Sequence, residues 1–392
     1  MLRNELTFYI GRRLGHYEPR TRYCELVLNG EFVGLYYFIE KIKRGKERVS
    51  VAKRDSINPE NGGFILKFDK GAKAGVVQYV YPKDDEVTAN EKSYINNFMK
   101  SYVNALNSSY FLTDSGYKKY ISPKSLVDYV LINELTKNCD AYFISSYFHK
   151  DKNSKDGRLK YGPLWDYDIA YQGARWQDGG IIEGWQFAQR DIGDPMYVKK
   201  IFKDTAVTHF YANRWKYLRK SFLADEKLFA IIDSLAENIK DSRIRNYNVW
   251  PIIDKQYVWP VIATYTYEDD INVVKNFLTK RMKWIDNNID KIYYPLDVEE
   301  LTYGKTMAYA YPNPFISRIT VEFLGNGEEY SVILQSTDGR KIASKEVSSL
   351  TNELVSVEFS NGTIQSLSPG MYFASIMQKG KLIQTVKIVK GK

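Results

Sequence analysis

The apolar period of the chain changes once, near Tyr293–Pro295, and that change limits what it can fold into. From Asp194 to about Ile292 apolar residues recur at helical spacing, as in Arg-Trp-Lys-Tyr-Leu-Arg at 214–219. Beyond the acidic run Asp297–Glu300 that period is gone. Short alternating runs replace it: Ile319–Phe323, Tyr330–Ser336, Lys341–Val347, Leu354–Phe359, Gly370–Gln378 and Lys381–Val389. Asp338-Gly339 and Lys379-Gly380 supply hairpin turns between them. Regular short strands with such turns predict a β-sandwich of immunoglobulin size. At 392 residues the chain is long enough for two units, expected at 1–297 and 311–392 with a linker at 298–310.

The first unit reads as α+β, a small antiparallel sheet followed by a mostly helical lobe. Met1–Leu14 has a helical pattern stopped by Gly15. Tyr23–Leu28 and Phe32–Ile39 alternate and are joined by Asn29-Gly30, a strong hairpin signal. Gly63–Asp69 predicts a third strand of the same front sheet. Helices are expected over Asn90–Leu106 and Pro123–Thr136, the second with Ser122 as N-cap and Pro in its first turn. Tyr142–His149 and Leu159–Tyr167 read as strands joined by the polar loop Lys150–Gly157.

Three carboxylates, Asp140, Asp166 and Asp168, lie in segments otherwise rich in aromatic and β-branched residues. Burying an ionised carboxylate is costly without a cation or donors to compensate it. On a strand, Asp166 and Asp168 would point to one face, where a divalent metal or a basic side chain would relieve their repulsion. The alternative is that all three cap turns by accepting from nearby amides.

Other chemistries are poorly represented. The formal charge is +9, but acidic residues interrupt the basic run Lys41–Arg54, so no nucleic-acid partner is expected. The 32 tyrosines mostly suit strand positions, and they also fit a contact surface. Cys24 and Cys139 permit one disulfide, with two buried thiols as the default. His16, His149 and His209 lack zinc spacing, and neither a Gly-x-Ser-x-Gly elbow nor a Walker loop occurs. No apolar run reaches membrane-spanning length. No leader precedes Leu2-Arg3-Asn4.

Tyr311-Pro312-Asn313-Pro314-Phe315, Asp338-Gly339-Arg340, Leu367-Ser368-Pro369-Gly370-Met371-Tyr372 and the ending Lys387-Ile388-Val389-Lys390 together resemble the C-terminal sorting domain of type IX secretion substrates. The resemblance implies handling of residues 311–392 by that machinery and a secreted or outer-membrane surface protein. It also implies a signal peptide, so a start missing from this chain is expected.

The first unit resembles the CotH kinase family. Pro19-Arg20-Thr21-Arg22, Leu28-Asn29-Gly30-Glu31-Phe32-Val33-Gly34-Leu35-Tyr36, Ile39-Glu40-Lys41 and Gly62-Gly63-Phe64-Ile65-Leu66-Lys67 carry the resemblance. Asn133-Glu134-Leu135, Asn138-Cys139-Asp140 and Trp165-Asp166-Tyr167-Asp168 extend it. It implies a kinase-like fold that transfers phosphate from ATP with Mg2+ to an unidentified protein substrate. By that resemblance Asp140 orients or deprotonates the acceptor hydroxyl, and Asp166 or Asp168 holds the metal. Lys67 contacts the nucleotide phosphates, with Glu40 as its pairing partner. Kinases place an Asn five residues after the catalytic Asp; here that position is Ser145, a weaker ligand, with His149 and Lys150 beyond it as possible compensation for phosphate charge. A second reading, from another class, is a catalytically silent surface protein that uses the same scaffold for binding or adhesion.

Overall fold

The computed structural model describes residues 2–70, 76–174, 179–189, 196–252, 262, 264–292, 308–311, 313–349, 351–360 and 362–391. Helix α1 (Arg3–Arg13) opens the chain, and strands β1 (Thr21–Leu28) and β2 (Glu31–Ile39) form the expected hairpin. Asn29 and Gly30 carry it round at φ 52° and 84°, the left-handed pair that a two-residue turn needs.

The front sheet differs from expectation. The hairpin is a sheet of its own. Strand β3 (Phe64–Phe68) belongs instead to a second sheet of order β4-β3-β5-β6, antiparallel throughout. Its other members are β4 (Gln78–Tyr81), β5 (Ser146–Lys150) and β6 (Leu159–Tyr161). Both later strands are shorter than their aromatic runs suggest. β6 ends before Gly162-Pro163, because proline has no N–H to give a ladder. β5 begins late because Asn138–Ser145 is spent on a turn.

Helices α2 (Ala89–Asn107) and α3 (Pro123–Thr136) match the helical pattern. Thr88 and Glu91 close a capping box on α2, and the Ser122 side chain accepts from Ser125 N–H at the start of α3. α3 is buried along its whole length, so it forms the central post of the unit. Against it pack α4 (Thr205–Arg219) and, later in the chain, α7 (Tyr267–Asn288), while α5 (Asp225–Asn238) rests on α7 and α1, and α6 (Lys240–Val249) on β2. One hydrophobic core runs from α1 through β3, α3 and the later helices. A smaller core of Ile42, Val49, Val51, Ile65 and Tyr147, with Trp165 against it, covers the opposite face of the β3–β5 pair. Helix α6 packs on β2 where Gly34 leaves room: a Cβ there would meet Asn246 Oδ1 at 2.9 Å. Asn246 uses the approach to accept from Leu35 N–H, and Trp250 Nε1 donates to Val33 O at 2.7 Å.

Residues 308–391 build two antiparallel sheets around one core. β7 (Ala308–Tyr311), β8 (Ile319–Asn326) and β11 (Thr351–Phe359) make one sheet, in the order β11-β8-β7. β9 (Glu329–Ser336), β10 (Lys341–Ser348), β12 (Gly370–Gln378) and β13 (Lys381–Lys390) make the other, in the order β10-β9-β12-β13. Val321 and Phe323 from the first sheet meet Val332, Ile376 and Ile388 from the second. β7 starts at Ala308, inside the span expected to be linker. The entry motif is fastened to the last strand: Asn313 accepts from Val389 N–H at 2.8 Å and donates to Lys387 O at 2.9 Å. No disulfide joins the cysteines among the described residues; Cys139 is buried, but Cys24 is exposed rather than buried. Among the described residues no helix is long and apolar enough to cross a membrane.

Candidate functional site

Two turns and one strand end assemble the site. The first turn follows α3. Lys137, at φ 48°, ends the helix in the left-handed conformation. Ala141 N–H then donates to Asn138 O at 3.1 Å and Ile144 N–H to Asp140 O at 3.0 Å. A buried polar hub lies under this turn. Glu134, near the end of α3, accepts from Tyr142 OH at 2.8 Å, from the N–H groups of Gln186 and Phe187, and from Arg281 at 3.1 Å. The Arg281 and Glu134 side chains are both 0% exposed. Arg281 spends its remaining donors on the carbonyls of Glu134, Ile182 and Gly184. Such saturation is what makes a buried ion pair tolerable. Gln186 Nε2 also donates to Asn138 O at 2.6 Å, which anchors the turn from below.

The second turn follows β6. The expectation that Asp166 and Asp168 share one strand face is not met: Asp166 sits at φ 66°, and Asp168 lies in the next turn. Helix α1 braces this segment. Asn4 Oδ1 accepts from Tyr167 N–H at 2.6 Å, Arg3 Nε donates to Ala170 O at 3.0 Å, and Thr7 and Tyr171 hydroxyls are 2.8 Å apart. Tyr167 OH reaches Asn133 on α3 at 2.9 Å. Buried Glu18 accepts from Leu164 N–H at 2.6 Å. Six of the nine described non-glycine residues with positive φ lie between Lys137 and Gln172. Strained backbone of this kind gathers where structure is committed to positioning side chains.

The turns meet through Ser145, whose hydroxyl donates to Asp166 Oδ2 at 3.3 Å, and through Asn138, whose amide donates to Asp166 O at 3.4 Å. Asp166 is open to solvent on one side. The protein packed around its carboxyl, and then the charges of Asp168 and Asp140, push its pKa up against the Ser145 hydrogen bond. Tyr147 on β5 is pushed up to about 12 by burial and then by the charges of Asp69 and Asp166. Asp140, Asp166 and Asp168 therefore share one electrostatic neighbourhood, and Ser145 is part of it.

Lys67 reaches the same neighbourhood from β3. Its Nζ is 2.6 Å from Asp69 Oδ2 and 5.8 Å from the Tyr147 ring centroid. Its expected partner, Glu40, is engaged elsewhere. Glu40 binds Arg20 at 2.5 Å, Arg48 at 3.3 Å and Tyr17 OH at 3.2 Å, and the Arg20 hydrogen bond leads in holding its pKa down to about 2. The pairing fails because the hairpin and β3 belong to different sheets. Asp69 takes that role; a charged residue at a strand end reads in sequence as solvated, so it carried no signal.

His149 and Lys150 do not supply charge to the cleft. Burial pushes His149 down to about 4, and its Nδ1 lies 3.2 Å from Gly162 O. Lys150 is on the opposite strand face, over the rings of Tyr94 and Phe98 at 5.3 and 5.1 Å. Burial lowers it to about 8.

Among the described residues no three carboxylate, imidazole or thiolate side chains are grouped to hold a metal ion. The donors that do gather, Asp166, Asp168 and the Ser145 hydroxyl, are all oxygen. That set suits magnesium, which takes one or two carboxylates and completes its shell with water and phosphate oxygens.

The described residues thus form a mixed sheet-and-helix unit, in which two turns bring Asp166 and Ser145 together, and a two-sheet unit. A family model described as CotH kinase protein matches residues 1–285, and one described as secretion system C-terminal sorting domain matches residues 309–391. The chain belongs to the CotH kinase protein family and carries a C-terminal sorting domain. That domain implies handling by the type IX secretion machinery and a secreted or outer-membrane surface protein. No curated protein matches the chain. Among solved structures, a β-glucosidase from Listeria innocua in complex with gluconolactone is 13% identical with a TM-score of 0.17, covering 25% of this chain and 19% of that one. An alkylpurine DNA glycosylase, AlkC, from Pseudomonas fluorescens bound to abasic-site DNA is 9% identical with a TM-score of 0.16, covering 51% of this chain and 53% of that one. The chain thus spans about a fifth of the glucosidase and about half of the glycosylase.

Proposed function

We propose that this protein is an exported atypical protein kinase that transfers phosphate from Mg-ATP to a protein hydroxyl. The observation that carries the reading is the meeting of the two turns at the Asp166 carboxyl, which accepts from the Ser145 hydroxyl at 3.3 Å and is pushed up in pKa first by the protein packed around it and then by the charges of Asp168 and Asp140. A site with surplus negative charge and oxygen ligands calls for a divalent cation. Phosphoryl transfer asks the protein mainly for positioning and charge neutralisation. Asp140, on the rigid turn above the Glu134–Arg281 hub, orients the acceptor hydroxyl and takes its proton. Lys67 donates to phosphate oxygens. Asp166 and Asp168 hold the metal, with Ser145 as the third oxygen. Bound magnesium supplies neutralisation of the phosphate charge. Glu40 has no part, since Arg20 and Arg48 occupy it. The C-terminal two-sheet unit is read as an immunoglobulin-like sandwich that delivers the front unit to the cell surface.

A second reading, a silent binding or adhesion scaffold, is favoured by apolar side chains that the hairpin leaves in solvent. Val27, Leu28 and Phe38 are 58%, 60% and 70% exposed. Isothermal titration of the full chain with ATP separates the two. The kinase reading expects binding that needs magnesium and is lost in Asp166→Ala. Absence of binding by the unmodified chain at millimolar Mg-ATP supports the scaffold instead.

A further inference from the structure

We infer that Asp69 is the positioning residue that aims Lys67 and ties it to the turn bearing Asp140; the inference rests on the phosphotransferase reading above. Lys67 is the penultimate residue of β3, and Asp69 follows the last one, Phe68, where its carboxylate turns back onto the lysine. The Asp69 carboxylate accepts from Lys67 Nζ at 2.6 Å and from Lys70 N–H at 2.8 Å, and the backbone N–H of Ser145 lies close enough to favour its charged form. Both Asp69 oxygens are committed to donors, Oδ2 to Lys67 and Oδ1 to Lys70 N–H.

The far side of Ser145 completes the connection. The residue's N–H is near Asp69, and its hydroxyl donates to Asp166 Oδ2 at 3.3 Å. The polar groups of Lys67, Asp69, Ser145 and Asp166 thus follow one another from the β4-β3-β5-β6 sheet to the turn after β6. At its strand end Lys67 would otherwise be a flexible four-carbon stem with many rotamers. Asp69 fixes one of them, beside the Tyr147 ring, and makes its position depend on the same backbone that sets Asp140. In kinases the equivalent pairing carboxylate comes from a helix. Here it comes from the residue just past the end of the lysine's own strand, two positions on, and not from another element.

Three variants and two readouts test this. Asp69→Asn keeps the shape and removes the charge, Asp69→Glu restores the charge, and Asp84→Asn is an exposed control. The first readout is Mg-ATP turnover. Asp69→Asn should raise KM for ATP about tenfold, the loss of one charge-assisted hydrogen bond. Asp69→Glu should recover part of that, and Asp84→Asn should match the unmodified chain. The second readout is the rate of Lys67 modification by acetic anhydride, followed by peptide mass spectrometry, which needs no activity. Lys67 should react several-fold faster in Asp69→Asn and not in Asp84→Asn. Unchanged KM and unchanged Lys67 labelling in a folded Asp69→Asn overturn the inference. If the unmodified chain turns over no ATP, the phosphotransferase reading fails, and the labelling rate alone decides whether Asp69 holds Lys67.

Discussion

The Ser145 hydroxyl donates to Oδ2 of Asp166 at 3.3 Å, and this contact links the turn after α3 to the turn after β6. Ser145 also sits at φ 49°, where asparagine is far better tolerated than most side chains. Ser145→Ala removes a donor that opposes the upward shift of Asp166. The Asp166 carboxyl pKa, followed by carbon-detected NMR titration, should rise further in that variant; an unchanged or lower value contradicts the assignment. Ser145→Asn fits the backbone and offers an amide oxygen, so magnesium affinity should increase.

The Glu134–Arg281 pair supports the Asp140 turn from within the core. Arg281→Ala leaves a buried carboxylate without its partner, a change that costs about 3–5 kcal/mol. Denaturant unfolding should show that loss, with the near-ultraviolet signal of Trp185 and Trp284, whose rings lie 5.8 and 4.7 Å from the guanidinium, altered in the same variant. A loss below about 1 kcal/mol would mean that the hub is not what holds the turn.

Glu18 gives a pH dependence with a definite sign. Burial pushes it from 4.5 up to about 8 while it accepts from Leu164 N–H. Between those values the folded chain keeps a proton that the unfolded chain has released. Its contribution to stability is therefore complete below about pH 4.5 and is lost as pH rises through about 8. Glu18→Gln preserves the acceptor and should flatten this slope in thermal melts taken across that window. An identical slope in both proteins contradicts the buried, protonated state.

Lys150 is expected to be structural. It lies between Tyr94 and Phe98 and bonds to Asn153 at 2.6 Å, away from the cleft. Lys150→Met keeps the packing and removes a buried charge, so stability should stay within about 1 kcal/mol. ATP turnover should stay within twofold; a larger fall would return Lys150 to the phosphate site.

The parts legible in the sequence were those with local chemistry. Asn29-Gly30 marks its hairpin, Ser122-Pro123 starts α3, and the late hairpin dipeptides bound their strands. The parts that were not legible depend on long-range pairing. Nothing in Phe64–Phe68 shows that it pairs with Ser146–Lys150 and not with the hairpin, so the sequence suggests Glu40 for Lys67 and gives no sign of Asp69. The aromatic run through Trp165–Tyr167 resembles a strand, but the break at Gly162-Pro163 and the left-handed Asp166 make it a turn. Asp140, Asp166 and Asp168 stand out in the sequence as carboxylates among aromatic residues, but Asp166 and Asp168 are exposed and not buried as that setting suggests.

The central claim is that Asp140 and Asp166 serve one phosphoryl-transfer site. Its most direct test is magnesium-dependent transfer from γ-labelled ATP to protein by the full chain, with Asp140→Asn and Asp166→Asn beside it. The account predicts transfer that disappears on chelation and falls at least about a hundredfold in each variant, with both variants folded. Transfer that survives either substitution, or a folded unmodified chain that transfers nothing, contradicts it.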